Sequence, residues 1–428
     1  MALFDIQDHP VTGATDASLK AFEQASAELR CFIDDPLASA QQAVEQSAAM
    51  PMAHALVAWL NLLGTEPGGL AAAGAALDTA RNLPANEREA MHLRAARQLA
   101  DGQWHAAGRT LEDLSIRWPL DTLALQVGHQ IDFFTGQSRM LRDRIARALP
   151  AWQNDRPACH AVLSMMAFGL EETGDYVAAE RLGRQALELE RRDGWGWHAV
   201  AHVMEMQNRR PDGVRWLRSD VPAWSEGSFF AVHNAWHLGL FHLGLGQIDE
   251  VLTLVDERIL HTASPVVLDM IDASAMLWRL TIQQVDVDTR WTALAERWAP
   301  LADASNYAFN DMHAMMALAS ARRQQDVQRL LASQQAAAAG DSDNAAFLRD
   351  VGVDATRAVL DFTEGRYGDC VDRLRRVRSR AHRFGGSHAQ RDVIDVTLIE
   401  AAERDGQRLL AEALRHERTY RAPGLLAA

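Results

Sequence analysis

Three titratable residues sit on one stripe of a stretch that otherwise reads as an apolar helix. In Trp195–Asn208, WGWHAVAHVMEMQN, His198, His202 and Glu205 stand at i, i+4 and i+7, a single face at 3.6 residues per turn. Val200, Val203 and Met204 leave no clearly polar face opposite, so the stripe is expected to be buried. Imidazoles and a carboxylate on such a helix are costly unless something pairs with them. A buried histidine beside an acid has a pKa tunable to neutrality, which is what general acid–base chemistry needs. A His/His pair one turn apart also suits zinc when another helix supplies a third ligand. Ala199 stands between them, so this is not the HExxH arrangement of zinc peptidases. The plain alternative is packing, with each polar group bonded to a neighbouring helix.

Three further segments carry the same residue types. Ser228–Gly244, SFFAVHNAWHLGLFHLG, repeats the i, i+4 spacing with His233 and His237, next to Asn234 and Trp236. Leu268–Ile282 places Asp269, Asp272, Trp278 and Arg279 on an apolar helix, and Asn306–Ala319 brings Asn310, Asp311 and His313. The expected catalytic set is His198, His202, Glu205, His237, Asp272 and His313. His54, His160, His233, Asn234, Trp236, Asp269 and Trp278 are expected to line the substrate pocket, with tryptophan as its flat apolar wall. If a divalent metal is bound, His198 and His202 are the expected ligands.

The elements that must position these residues are helices throughout. Alanine and leucine dominate, alternation is rare, and short turns bearing Gly, Asp or Pro separate the apolar stretches. The turns recur at Gly64, Gly102, Gly136, Gly174, Asn208, Gly246, Gln284, Gln324, Gly365 and Gly406, with successive differences of 38, 34, 38, 34, 38, 38, 40, 41 and 41. A period of that size in an all-helical chain marks stacked helix–turn–helix repeats. The fold expected is an all-α superhelical solenoid of degenerate tetratricopeptide-like pairs, without sheet, curled around an internal pocket. Residues 1–340 would carry the pocket, and residues 341–428 would continue or cap the array, with Ser333–Asp343 the most linker-like stretch. The tail RAPGLLAA from Arg421 reads as frayed or docked.

Counted back from these turns, His54, His92 and His198 each lie 10 residues before theirs. His129, His160, His202, His233, His237 and His313 lie 7, 14, 6, 13, 9 and 11 before. Offsets of this kind share one helical face, so nine of the 16 histidines are expected on an inner lining with Asp132, Glu205 and Asp272.

Composition narrows the partners. The net charge is −14 and Lys20 is the only lysine, which argues against nucleic acid and anionic membranes. It also argues against pyridoxal phosphate, which needs a Schiff-base lysine. No phosphate loop or dinucleotide fingerprint is present, so nicotinamide and flavin are not expected. Cys31, Cys159 and Cys370 are odd in number and far apart, which fits a reducing compartment. With no basic-then-apolar leader and no run long enough to span a membrane, the expectation is a cytoplasmic protein, compatible with homo-oligomers.

The runs WHAVAHVMEM (197–206), VHNAWHLGLFHL (232–243) and LWRL (277–280) resemble the family of tetratricopeptide repeat protein 38. REAMHLRAARQLADGQW (88–104) and AFGLEETGDY (167–176) resemble it too, so the similarity runs from about Pro51 to about Arg323. The resemblance implies a closed α-solenoid of degenerate repeats. Its matching motifs are the polar ones: the His198–His202–Glu205 helix, Trp236–His237 and Asp272. Peptide-clamping grooves need solvated Asn, Lys and Arg, whereas this lining is His, Trp and acid. The expected function is therefore binding of a small organic molecule, with hydrolysis or elimination by acid–base or metal-assisted chemistry. A scaffold holding a partner peptide, or a ligand-binding sensor, are the alternatives.

Overall fold

A computed structural model describes residues 3–152, 155–260, 264 and 266–421. The expected frayed or docked tail after Arg421 lies outside the described residues. The chain is all-α and 77% helical, and it forms two compact units. One comprises Met1–Val203 and Asp220–Ala231, the other Met204–Ser219 and Val232–Ala428.

The first unit opens with two short strands, β1 (Leu3–Phe4) and β2 (Pro10–Val11), paired antiparallel. This small sheet departs from the sheet-free expectation. The Asp5 carboxylate accepts from the backbone N–H of Gln7 and His9, and Asp8 turns the chain at φ 64°, so a local side-chain bond closes the hairpin. Helices follow: α1 (Asp16–Cys31), α2 (Pro36–Gln46), α3 (Pro51–Leu63), α4 (Pro67–Ala80), α5 (Glu87–Ala100), α6 (Trp104–Arg117), α7 (Thr122–Phe134), α8 (Ser138–Ala148), α9 (Cys159–Glu171) and α10 (Tyr176–Leu189). They pack as sequential hairpins, α1 with α2 through α9 with α10. The division between units falls inside α11 (Gly194–Met206), after Val203.

In the second unit lie α12 (Arg210–Ser219), and, after the short α13 (Val221–Ser225) of the first unit, α14 (Ala231–Gly244), α15 (Ile248–Leu254), α16 (Val267–Ile282), α17 (Asp288–Trp298), α18 (Ala308–Ser320) and α19 (Gln324–Ala338). It ends with α20 (Asp343–Phe347), α21 (Val353–Thr363), α22 (Tyr367–Val377), α23 (His388–Arg404) and α24 (Arg408–Arg421). The hairpins here are α16 with α17, α18 with α19, α21 with α22, and α23 with α24. The linker-like stretch is mostly helix, because its alanines extend α19 to Ala338.

Left-handed backbone marks the turns. Gly102, Gly136, Gly174, Asn208, Gly246, Gln284, Gly365 and Gly406 all have positive φ. Near Gly64 and Gln324 the left-handed residues are Thr65 and Arg322 instead. Gly64 keeps right-handed helical angles, and the turn is completed one residue later, just ahead of Pro67 at the start of α4.

The core that seats the candidate site belongs to the first unit. Phe168 and Val162 of α9, Ala179 and Leu182 of α10, and Ala199 and Val203 of α11 form one buried cluster with Trp195 and Phe230. A fully buried side chain the size of Phe168 contributes about 3 kcal/mol through burial. Gly169 lets α9 approach its neighbour: a Cβ there would stand 2.6 Å from the Arg142 backbone. Among the described residues no helix is long and apolar enough to cross a membrane.

Candidate functional site

The two units treat their histidines differently, and each is described by itself. In the first unit most of the polar lining is consumed by bonds that tie one repeat to the next. His92 Nε2 donates to Asp121 Oδ2 at 3.0 Å, and Arg88 donates to the same oxygen at 2.8 Å. The other oxygen, Oδ1, caps α7 by accepting from the Ala124 N–H at 2.9 Å. One repeat pair later the arrangement recurs. His160 Nδ1 donates to Asp193 Oδ2 at 2.9 Å, while Asp193 Oδ1 accepts from the Gly196 N–H at 3.0 Å, at the start of α11. His129 donates to the Met165 carbonyl at 3.1 Å, and burial pushes its pKa down to about 3, so it is neutral. His54 donates to the Ala48 carbonyl at 2.9 Å.

His198 and His202 are placed otherwise. Both are buried, and their rings lie 4.4 Å apart, nearly perpendicular. His198 is bracketed by Trp195 at 4.8 Å and by Phe168, stacked at 5.2 Å. His202 Nδ1 stands 3.6 Å from Oε2 of Glu171. The expected acid partner on its own helix was Glu205; the acid found at its ring is Glu171, from α9. Glu171, Glu172 and His202 each offer a ligand atom, all within 4.8 Å of one another, and all three residues are buried.

The local sequence makes this cluster unusual. Glu171 is the last residue of α9 and Glu172 its C-cap. The C-terminal end of a helix carries partial negative charge, so an acid there is disfavoured by about 0.3–1 kcal/mol before any repulsion between the two. Ser138 donates a hydrogen bond to Glu172 at 3.2 Å. The pair also raises the pKa of Tyr176, after burial the next cause of that shift. Carboxylate oxygen with imidazole nitrogen is the donor set of zinc, manganese and iron sites.

In the second unit His233 Nδ1 donates to Asp272 at 2.8 Å. Its ring stacks on Trp236 at 5.4 Å and meets His237 edge-on at 4.9 Å. These four expected site residues are therefore together, with Asp272 bonded to His233. Nearby, burial pushes the Asp269 pKa up to about 6, assisted by the charge of Asp272. Asn234 is fully buried, and neither its oxygen nor its nitrogen has a hydrogen-bond partner among the described residues.

Glu205 is partly buried, and burial lifts its carboxyl to about 7, with Arg210 and Arg279 pulling it down and Asp392 raising it. Arg279 lies over the Trp236 ring at 5.6 Å. Trp278 is committed elsewhere: its N–H donates to Thr397 at 2.8 Å and its ring packs on Phe362. His313 donates to the Phe309 carbonyl at 2.8 Å and is pushed down to about 4 by burial, so it is neutral and locally held.

Two residues at this site escaped the sequence reading. Glu171 and Glu172 stand in LEETG, where the last turn of a helix ordinarily favours cations; that reversal was the available signal. No protein-family model matches the chain.

Proposed function

We propose that this helical-repeat chain binds a divalent transition metal at Glu171, Glu172 and His202 and uses it on a small organic molecule. The fold it does so on is the one implied by the resemblance to the tetratricopeptide repeat protein 38 family. The observation that carries the reading is the pair of adjacent buried acids at a helix C-terminus, with an imidazole within ligand reach. Such an arrangement opposes the helix dipole and brings like charges together, and a divalent cation relieves both costs.

A bound cation would supply Lewis-acid polarisation of a substrate oxygen, or acidify a water. The chain's own groups do the rest. His202 and the two glutamates hold the cation, and Glu171 orients the His202 ring. His198 stands beside them between Trp195 and Phe168, positioned to hold or move a proton in an apolar surround. Hydrolysis or elimination is the class of reaction this set serves.

Elemental analysis of the purified protein, followed by zinc and manganese titration, tests the reading. One equivalent is expected on the native chain and none on Glu171→Gln/Glu172→Gln. Equal uptake by that variant, or no uptake by the native chain, overturns it.

A second reading rests on the other unit. Asp272 fixes the Nδ1–H tautomer of His233, which leaves Nε2 as the basic nitrogen of a metal-independent acid–base dyad beside Trp236. Activity that survives chelation but is lost in His233→Gln would select this reading over the first.

A further inference from the structure

Charged side chains from five helices of the second unit gather around one carboxyl. Glu205 stands near the end of α11, Arg210 at the start of α12, Arg279 in α16, Asp392 in α23 and Arg418 in α24. Each of the three guanidiniums acts on the Glu205 charge through space, Arg210 most strongly, and Glu205 acts on each of them in return. Direct bonds fix one side of the group. Arg418 grips both oxygens of Asp392, at 3.1 and 2.7 Å. One turn earlier on α23 the Ala389 carbonyl accepts from Arg279 at 3.0 Å, so Arg279 and Arg418 meet the same helix one turn apart.

The remaining charges do not cancel by contact. Arg210 donates to the Gly244 carbonyl, and Arg279 to the Ala275 and Ala389 carbonyls while lying over the Trp236 ring. Neither forms an ion pair with a described acid. The Glu205 side chain makes no hydrogen bond or ion pair among the described residues, and its Oε2 atom is buried without a partner. It is partly buried, within electrostatic reach of Arg210 and Arg279 but beyond ion-pair distance of both. A carboxyl and two guanidiniums taken from water and held apart in this way call for a group that bridges them.

The bridge has a defined chemistry. To accept from two guanidiniums it must be an anion. It must also share a proton with Glu205, whose carboxyl burial lifts to about 7. A fully deprotonated anion meets the first need and opposes the second, and a neutral alcohol does the reverse. Hydrogen phosphate meets both, with several acceptor oxygens and one P–OH donor on a tetrahedral frame. We propose that hydrogen phosphate binds in this gap, its oxygens accepting from Arg210 and Arg279 and its hydroxyl donating to Glu205. Asp392 occupies Arg418, so two arginines rather than three set the charge of the ligand. The inference is independent of the metal proposal and of the His233–Asp272 dyad, because none of these residues belongs to either.

The test is calorimetric titration of the metal-free full chain with phosphate and with sulfate at pH 8.5. Glu205 is largely ionised there, phosphate still carries one proton and sulfate carries none. Phosphate is expected to bind, and sulfate at least tenfold more weakly. Glu205→Gln offers an amide that donates to either anion, so the preference should vanish in that variant. Arg210→Gln, at a partly buried position, should weaken phosphate at least tenfold while leaving zinc uptake unchanged. Should either variant fail to fold by circular dichroism, the other variant and the anion preference of the native chain decide. No heat with phosphate, equal affinity for the two anions on the native chain, or a preference that survives Glu205→Gln overturns the proposal.

Discussion

Asp121 and Asp193 at one place, and Glu171 with Glu172 at another, are buried acids in the same unit, each beside a histidine. Their difference is position on the helix. Asp121 stands just ahead of α7 and Asp193 just ahead of α11, where free N–H groups and the positive dipole end meet the carboxylate. Each uses one oxygen to cap its helix and the other to receive a histidine from the previous repeat. Glu171 and Glu172 stand at the opposite, negative end of α9, next to one another. The first arrangement sets its charge with the helix dipole; the second sets two adjacent acids against it, with Ser138 donating to Glu172 and His202 3.6 Å from Glu171. Residue type and burial alone therefore do not distinguish these two kinds of buried acid, whereas helix polarity does.

The largest effect should come from breaking the favourable case. Burial alone would raise the Asp121 carboxyl, but the neighbouring His92 and Arg88 hold it well below the usual carboxylate range. Asp121→Ala removes a cap and strands two buried partners, for an expected loss of about 3–5 kcal/mol by urea denaturation. The depressed pKa also fixes a pH signature. The stabilisation is fully present above the unfolded value of 3.8 and is lost as pH falls below it. The gap between native chain and variant should therefore narrow in acid; a pH-independent gap would mean that the charge contributes nothing.

Asp311 sharpens the rule. It too lies in the first turn of its helix, α18, but its partners are the neutral donors Ser305 at 2.9 Å and Gln334 at 3.2 Å. Burial dominates and pushes its pKa up to about 7. Here the sign reverses. The folded chain holds a proton that the unfolded chain has released, so stability falls as pH rises from about 4 towards 7. Asp311→Asn should flatten that slope and raise stability at pH 8 by about 2 kcal/mol. If the variant is no more stable than the native chain at pH 8, an N-terminal position alone suffices and the rule needs no charged partner.

The sequence made the frame readable because turns have chemical signatures. Most expected turns coincide with left-handed residues, since glycine or asparagine after an apolar helix has few other uses. The pairing of His233 with His237 and Trp236 was legible from i, i+4 spacing alone. What was not legible depends on the neighbouring helix. Nothing local to His202 says that its acid comes from α9 rather than from Glu205. Asp121 and Asp193 look like ordinary caps until the histidine of the previous repeat arrives.

Glu172→Gln breaks the unfavourable case in the opposite direction. It keeps the volume and the acceptor for Ser138, and it removes one charge from the wrong end of a helix. In metal-free protein this substitution should gain about 1 kcal/mol. The same variant should lose the extra stability that zinc confers on the native chain, read as a melting-temperature shift that disappears. A loss of stability without metal would put Glu172 with Asp121 among the packing acids.

The smallest effect is expected at His160, and it decides whether the repeat-to-repeat tie is a unit or a sum. The His160 side chain is 13% exposed, whereas its partner Asp193 is fully buried. Removing the imidazole leaves Asp193 Oδ1 on the Gly196 N–H, so the cap at α11 survives, and water can reach the vacated Oδ2 from the side that His160 covered. The loss therefore reduces to one hydrogen bond to a charged acceptor, partly replaced, or about 1 kcal/mol in His160→Gln. At His92 the same contact is wholly enclosed, with both side chains nearly unexposed, so His92→Gln should cost more than His160→Gln by chemical denaturation. Neither change touches Glu171, Glu172 or His202, and zinc uptake should be unaltered in both. Equal costs at the two sites would show that the dipole and the cap carry the tie, with the histidines only filling space.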